Sequence, residues 1–171
     1  MAKGGSGRIG IHSLEGSLLR EWGTGVAGAG ELQRQGGIEI NDRNIYVTDT
    51  SKHGVQVFTT DGTLLGRWGI EGSDKGQLQN PGDIAILGSK AYVVDTGNHR
   101  VQVFSIGGTF FLEWGTKGEG EGEFDSPTGI AIFNDKVYVV DAGNHRVQVF
   151  TLNGTMLGGW GSEGSGDGQF Q

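Results

Sequence analysis

The 171 residues include 35 glycines, two prolines and no cysteine, and carry a formal net charge of −7. Disulfides, thiolate metal sites and cysteine nucleophiles are therefore excluded, and glycine this frequent without a Gly-X-Y triplet excludes collagen. Charged residues at 19% are too few for a solvated disordered chain. The acidic balance argues against nucleic acid as a partner. Apolar runs such as 84–87 fall far short of a bilayer span, so no membrane segment is expected. Residues 1–7 lack the apolar stretch of a secretory signal and are expected to be a flexible lead, which makes a soluble, cytoplasmic protein the default.

A strict repeat organises the rest. Trp22, Trp68, Trp114 and Trp160 recur at a constant step of 46 residues. The same step links Asp49, Asp95 and Asp141, and also Tyr46, Tyr92 and Tyr138. In chain order, residues 8–33 form a part-repeat. Its segment 8–11 aligns with 100–103, and its segment 17–22 leads to Trp22. Full repeats follow over 34–79, 80–125 and 126–171.

The last repeat spells out the unit. A short apolar run at 130–132 is followed by the turn pair Asn134-Asp135. The β-branched and aromatic run 137–140 reads as a strand. After the turn 141–144, residues 146–150 alternate polar and apolar, the period of a half-buried strand. Asn153-Gly154 marks another hairpin, and 155–160 is a fourth strand ending on Trp160. Four short strands in a period of 40–50 residues predict an all-β fold, a β-propeller of four-stranded blades. With strands labelled A to D outward from the axis, the chain supplies three complete blades plus the outer C and D strands of another. Trp22, Trp68, Trp114 and Trp160 are expected to pack between blades.

Two motifs carry a more specific likeness. The segments 92–104 and 139–150 both contain Gly-Asn-His-Arg-Val-Gln-Val-Phe, and 76–85 and 122–131 lead into strand A through Pro81 and Pro127. These resemble the NHL repeat, over about residues 8–171, and the resemblance implies an NHL-family propeller. The first full repeat departs from the pattern. Thr50-Ser51-Lys52-His53-Gly54 replaces the Gly-Asn-His-Arg turn and Gln35 replaces the proline, so a looser turn is expected there.

Propeller geometry brings the B–C turns and the blade-to-blade connections to one face. Connections 24–33, 70–79, 116–125 and 162–171 hold nine acids and two lysines, the whole net charge of the chain. Asn98, His99, Arg100, Asn144, His145 and Arg146 on the turns, with Glu119, Glu121 and Glu123 on a connection, are the candidate binding residues. The connections read as flexible, glycine-spaced acidic loops. Asp95 with Arg100, and Asp141 with Arg146, bracket the turns and read as structural pairs, as does Asp49. His53, His99 and His145 share one radius, too far from the axis to share an ion, and no calcium-loop spacing exists in 118–123. No metal, cofactor or catalytic constellation is expected.

The functional expectation is a non-catalytic protein-binding or assembly scaffold. Leaving blade faces in water is unfavourable, so the chain is expected to complete its ring as a homo-oligomer, a dimer first, with another protein as a further partner. The alternatives are a fragment of a longer propeller lyase or hydrolase with an axial metal, or an engineered or recently amplified propeller without an evolved ligand. An enzyme needs polar residues on strand A that differ from blade to blade.

Overall fold

A computed structural model describes residues 7–23 and 31–171. Residues 1–6 of the expected flexible lead and 24–30 of the first connection lie outside the described residues. Strands β1 (Ile9–His12) and β2 (Leu18–Trp22) form an antiparallel hairpin. Three four-stranded meanders follow. They are β3 (Gln35–Asn41), β4 (Asn44–Asp49), β5 (Gly54–Thr59) and β6 (Leu64–Trp68); β7 (Ile84–Leu87), β8 (Lys90–Asp95), β9 (Arg100–Ser105) and β10 (Phe110–Trp114); and β11 (Pro127–Phe133), β12 (Lys136–Asp141), β13 (Arg146–Thr151) and β14 (Met156–Trp160). Each meander is one blade, all-β and antiparallel throughout, in the strand order read from the repeat.

Local sequence explains the tight turns. Asn134 and Asp135 both take positive φ, 48° and 56°, as a two-residue hairpin of the right twist requires. In the second and third blades the B–C turn is a short 3₁₀ segment, Thr96–Asn98 and Ala142–Asn144, closed by His99 and His145 in the left-handed region. The first blade instead has a plain hydrogen-bonded turn at 50–53, fixed by the Lys52 N–H donating to Asp49 O.

Because side chains alternate along a strand, each sheet has two apolar faces, and stacking buries them. Ile9 of the hairpin and Leu32 pack on Ile45, Val47 and Phe58 of the first blade. Tyr46 and Val55 on its other face pack on Ile84, Ala91, Val93 and Phe104 of the second. Tyr92, Val94, Val101 and Val103 then meet Ile130, Val137, Val139 and Phe150 of the third. Leu32, Leu78 and Phe124, from successive connections, are buried as plugs at these junctions.

The tryptophans divide. Trp68 lies 5.0 Å from Phe104, and Trp114 lies 5.7 Å from Phe150, each across a blade junction. Trp160 does not follow its expected burial: it is 52% exposed, because among the described residues no sheet stands on the outer face of the third blade. Val140 and Phe170 on that side are exposed as well.

Candidate functional site

The turn-and-connection face is built on a buried carboxylate at the end of each B strand. Asp95 is fully buried. Its Oδ1 accepts the Gln79 N–H at 2.6 Å, and its Oδ2 accepts from Asn98 Nδ2, Arg100 Nε and Gln102 Nε2 at 2.8, 2.8 and 3.0 Å. A buried charge with this many donors is compensated rather than stranded. Arg100 uses its remaining donors on the connection. Nη1 donates to Ser73 O and to the Glu113 carboxylate, and Nη2 donates to Asp74 O and Gln77 O.

The third blade repeats the device. Asp141 accepts from Asp125 N, Asn144, Arg146 and Gln148, and Arg146 donates to Glu119 O, Gly120 O and Glu123 O. In the first blade Gly54 stands where the arginine would be. There Asp49 accepts from Gln56 Nε2, and Lys52 Nζ reaches Glu31 O at 2.6 Å.

This geometry corrects the expectation of flexible connections. The 116–124 loop is closed by Phe124 N donating to Thr116 O and Gly118 N donating to Phe124 O, and Glu123 Oε2 accepts the Gly120 N–H. Arginine then grips its carbonyls from the turn. The candidate residues Asn98, Arg100, Asn144 and Arg146 thus meet the connections directly, and their donors are used within the protein. Glu119 and Glu121 stay exposed, while Glu123 is half-buried.

Two of the three turn histidines are also engaged. His53 Nδ1 accepts the Asn80 N–H and His99 Nδ1 accepts the Ser126 N–H, both at 3.0 Å, so each turn holds the entry to the following blade. His145 Nδ1 is buried with no partner. Among the described residues, no three His, Asp or Glu side chains converge as a metal site.

Sequence reasoning missed two carboxylates at the inner strands, Glu39 within β3 and Asp83 immediately before β7. Position 83 is Asp where the register has Gly37 and Gly129, and position 39 is Glu where it has Ala85 and Ala131. A break in register was the signal that could have found them. A Cβ on Gly37 would stand 1.8 Å from Asp83 Oδ1, so the carboxylate fills the room that glycine leaves. Burial raises the Asp83 pKa, against N–H donors from Ile130 and Ile84 that lower it. Burial, and then the charge of Asp83, raise that of Glu39.

A family model described as a 6-bladed beta-propeller matches residues 69–160. No curated protein matches the sequence. Among solved structures, a streptogramin B lyase superposes with a TM-score of 0.65 at 18% identity, over 89% of this chain and 47% of that one. A catalytically inactive virginiamycin B lyase from Staphylococcus aureus, with quinupristin, gives 0.65 at 14% identity, over 91% and 48%. A functionally unknown protein from Desulfotomaculum acetoxidans gives 0.59 at 20% identity, over 85% and 47%. At such identities the likeness is one of fold, and this chain spans about half the length of those structures.

Proposed function

The chain belongs to the 6-bladed β-propeller family, and from that premise we propose that it is a non-catalytic scaffold of the NHL type. Its turn-and-connection face binds a basic protein segment, and its blades assemble with those of a second copy. One observation carries this reading. The Asn and Arg side chains of the turns are spent on gripping the connections, in the same way in the second and third blades, which leaves the exposed side chains of those connections, carboxylates in excess over Lys75 and Lys117, as the free chemistry of the face. Exposed acids on a fixed backbone form a negative field that attracts Lys- and Arg-rich segments and repels phosphates.

The test is a titration with a Lys/Arg-rich peptide followed by fluorescence anisotropy. Binding that weakens with salt, and weakens further when Glu119 and Glu121 are changed to Gln, is the expected outcome. Equal affinity for a Glu-rich peptide overturns the reading.

Asp83 and Glu39 favour a second reading, a propeller lyase or hydrolase with a metal at the axis, because they are carboxylates at the inner strands that differ between blades. That reading requires a bound ion. Elemental analysis finding about one metal per chain, lost in Asp83→Asn, would move the assignment to it.

A further inference from the structure

The 46-residue register matches the exposed tryptophan of the third blade to the hairpin at the start of the chain. Each C–D turn ends on a glycine of nearly the same conformation: φ is +85° at Gly16, +89° at Gly62, +90° at Gly108 and +83° at Gly154. In all four turns that glycine's N–H donates to the carbonyl three residues before it.

In three of them the glycine is the roof over the tryptophan of the preceding unit. A Cβ on Gly62 would stand 2.7 Å from Trp22, one on Gly108 2.5 Å from Trp68, and one on Gly154 2.6 Å from Trp114. Only glycine lets the indole lie that close. The fourth glycine, Gly16, has nothing within 4 Å of its Cβ position, and the fourth tryptophan, Trp160, is half exposed.

The surroundings of the two match in the same way. A cavity of about 180 Å³ lies at the foot of Trp160, lined by Arg146, Gln148 and Met156 among others. Leu18 of the hairpin occupies the register position of Phe110, which packs with Phe104 next to Trp68, and Leu18 is 55% exposed. Tyr92 donates its hydroxyl to Leu152 O of the next blade. The same step pairs Tyr138 with the carbonyl of Leu14, whose side chain is fully exposed.

We infer that the β1–β2 hairpin of a second copy docks on the outer face of the third blade, with its Gly16 roofing Trp160 and its Leu14 carbonyl accepting the Tyr138 hydroxyl. This rests on the assembly reading above and names its contact. The contact is head-to-tail, so each copy offers one tryptophan and one roof.

Two substitutions test it, because each acts on one half. Trp160→Ala removes the knob at an exposed site. Gly16→Asn keeps a residue that tolerates positive φ but adds the Cβ that the seat has no room for. By native mass spectrometry at micromolar concentration, the unaltered chain is expected to associate. Each variant is expected to lose about 100-fold in affinity, the loss typical of truncating a central interface aromatic. Mixing the two variants should restore a heterodimer, since one still has its tryptophan and the other its roof. Association that survives both substitutions leaves the assembly reading standing and overturns this contact. If replacing Ile38 and Ile40 abolishes it instead, the third blade stacks directly on the first, which also overturns the contact. An unaltered chain that stays monomeric overturns both.

Discussion

Asp83 Oδ2 accepts the Ile130 N–H at 3.1 Å, so one carboxylate ties the inner strand of the second blade to that of the third. Its other oxygen accepts the Ile84 N–H and lies over Gly37 of the first blade. A single acid thereby touches three blades near the centre of the array.

This arrangement makes stability depend on pH. The Asp83 and Glu39 pKa values are raised, so the folded chain holds protons that the unfolded chain has already released. Their contribution to stability is therefore largest in acid and falls as pH rises from the ordinary carboxylate range through the raised values. Urea unfolding between pH 4 and 7 should flatten in Glu39→Gln relative to the unaltered chain. An unchanged slope would mean that Glu39 titrates alike in both states.

The tryptophans should separate by position. Trp114→Ala removes a ring packed on Tyr92 and Phe150 and is expected to cost about 3 kcal/mol. Trp160→Ala, measured on the dissociated chain, should cost less than about 0.5 kcal/mol, as exposed substitutions do. Thermal unfolding compares them, and equal shifts would contradict the packing described.

Arg100→Ala should leave the Asp95 carboxylate buried with its main partner gone, at a cost of about 3–5 kcal/mol. The 70–78 connection would lose three of the bonds that hold it to the turn. Limited trypsin digestion is expected to nick the variant after Lys75 faster than the unaltered chain. Equal nicking rates would show that the loop is held without Arg100, by its own backbone and by Asn98 and Gln102.

Single-stranded RNA should not bind in a salt-sensitive way at physiological ionic strength. Such binding releases counterions through Lys or Arg at the contacts, and here Arg100 and Arg146 are occupied by carbonyls and carboxylates. An affinity for RNA that falls steeply with added salt would contradict this.

Much of the fold was legible because the repeat has no insertions. The tryptophan step alone locates every D strand, and the alternation over 146–150 locates a C strand and its buried face. The connections were misread for a physical reason. Gly-Glu-Gly-Glu predicts freedom, but the 116–124 loop closes through its own backbone hydrogen bonds, and an arginine about 25 residues away donates to its carbonyls, which are the same for any sequence. The exposure of Trp160 was equally hidden, since its local sequence matches that of the packed tryptophans. Asp83 and Glu39 were legible in principle as departures from register, but a search for what repeats passes over what does not.

The arginine grip also bears on how the chain comes together. Arg100 and Arg146 close loops of fewer than thirty residues, and the remaining contacts lie within a blade or join it to its immediate neighbour. Such a chain behaves as a row of coupled units whose order spreads from one to the next. In the dissociated chain the third blade, covered on one side only, has the fewest neighbours to cooperate with. Its amides should therefore be the first of the three blades to exchange with solvent, and those of the second blade the last.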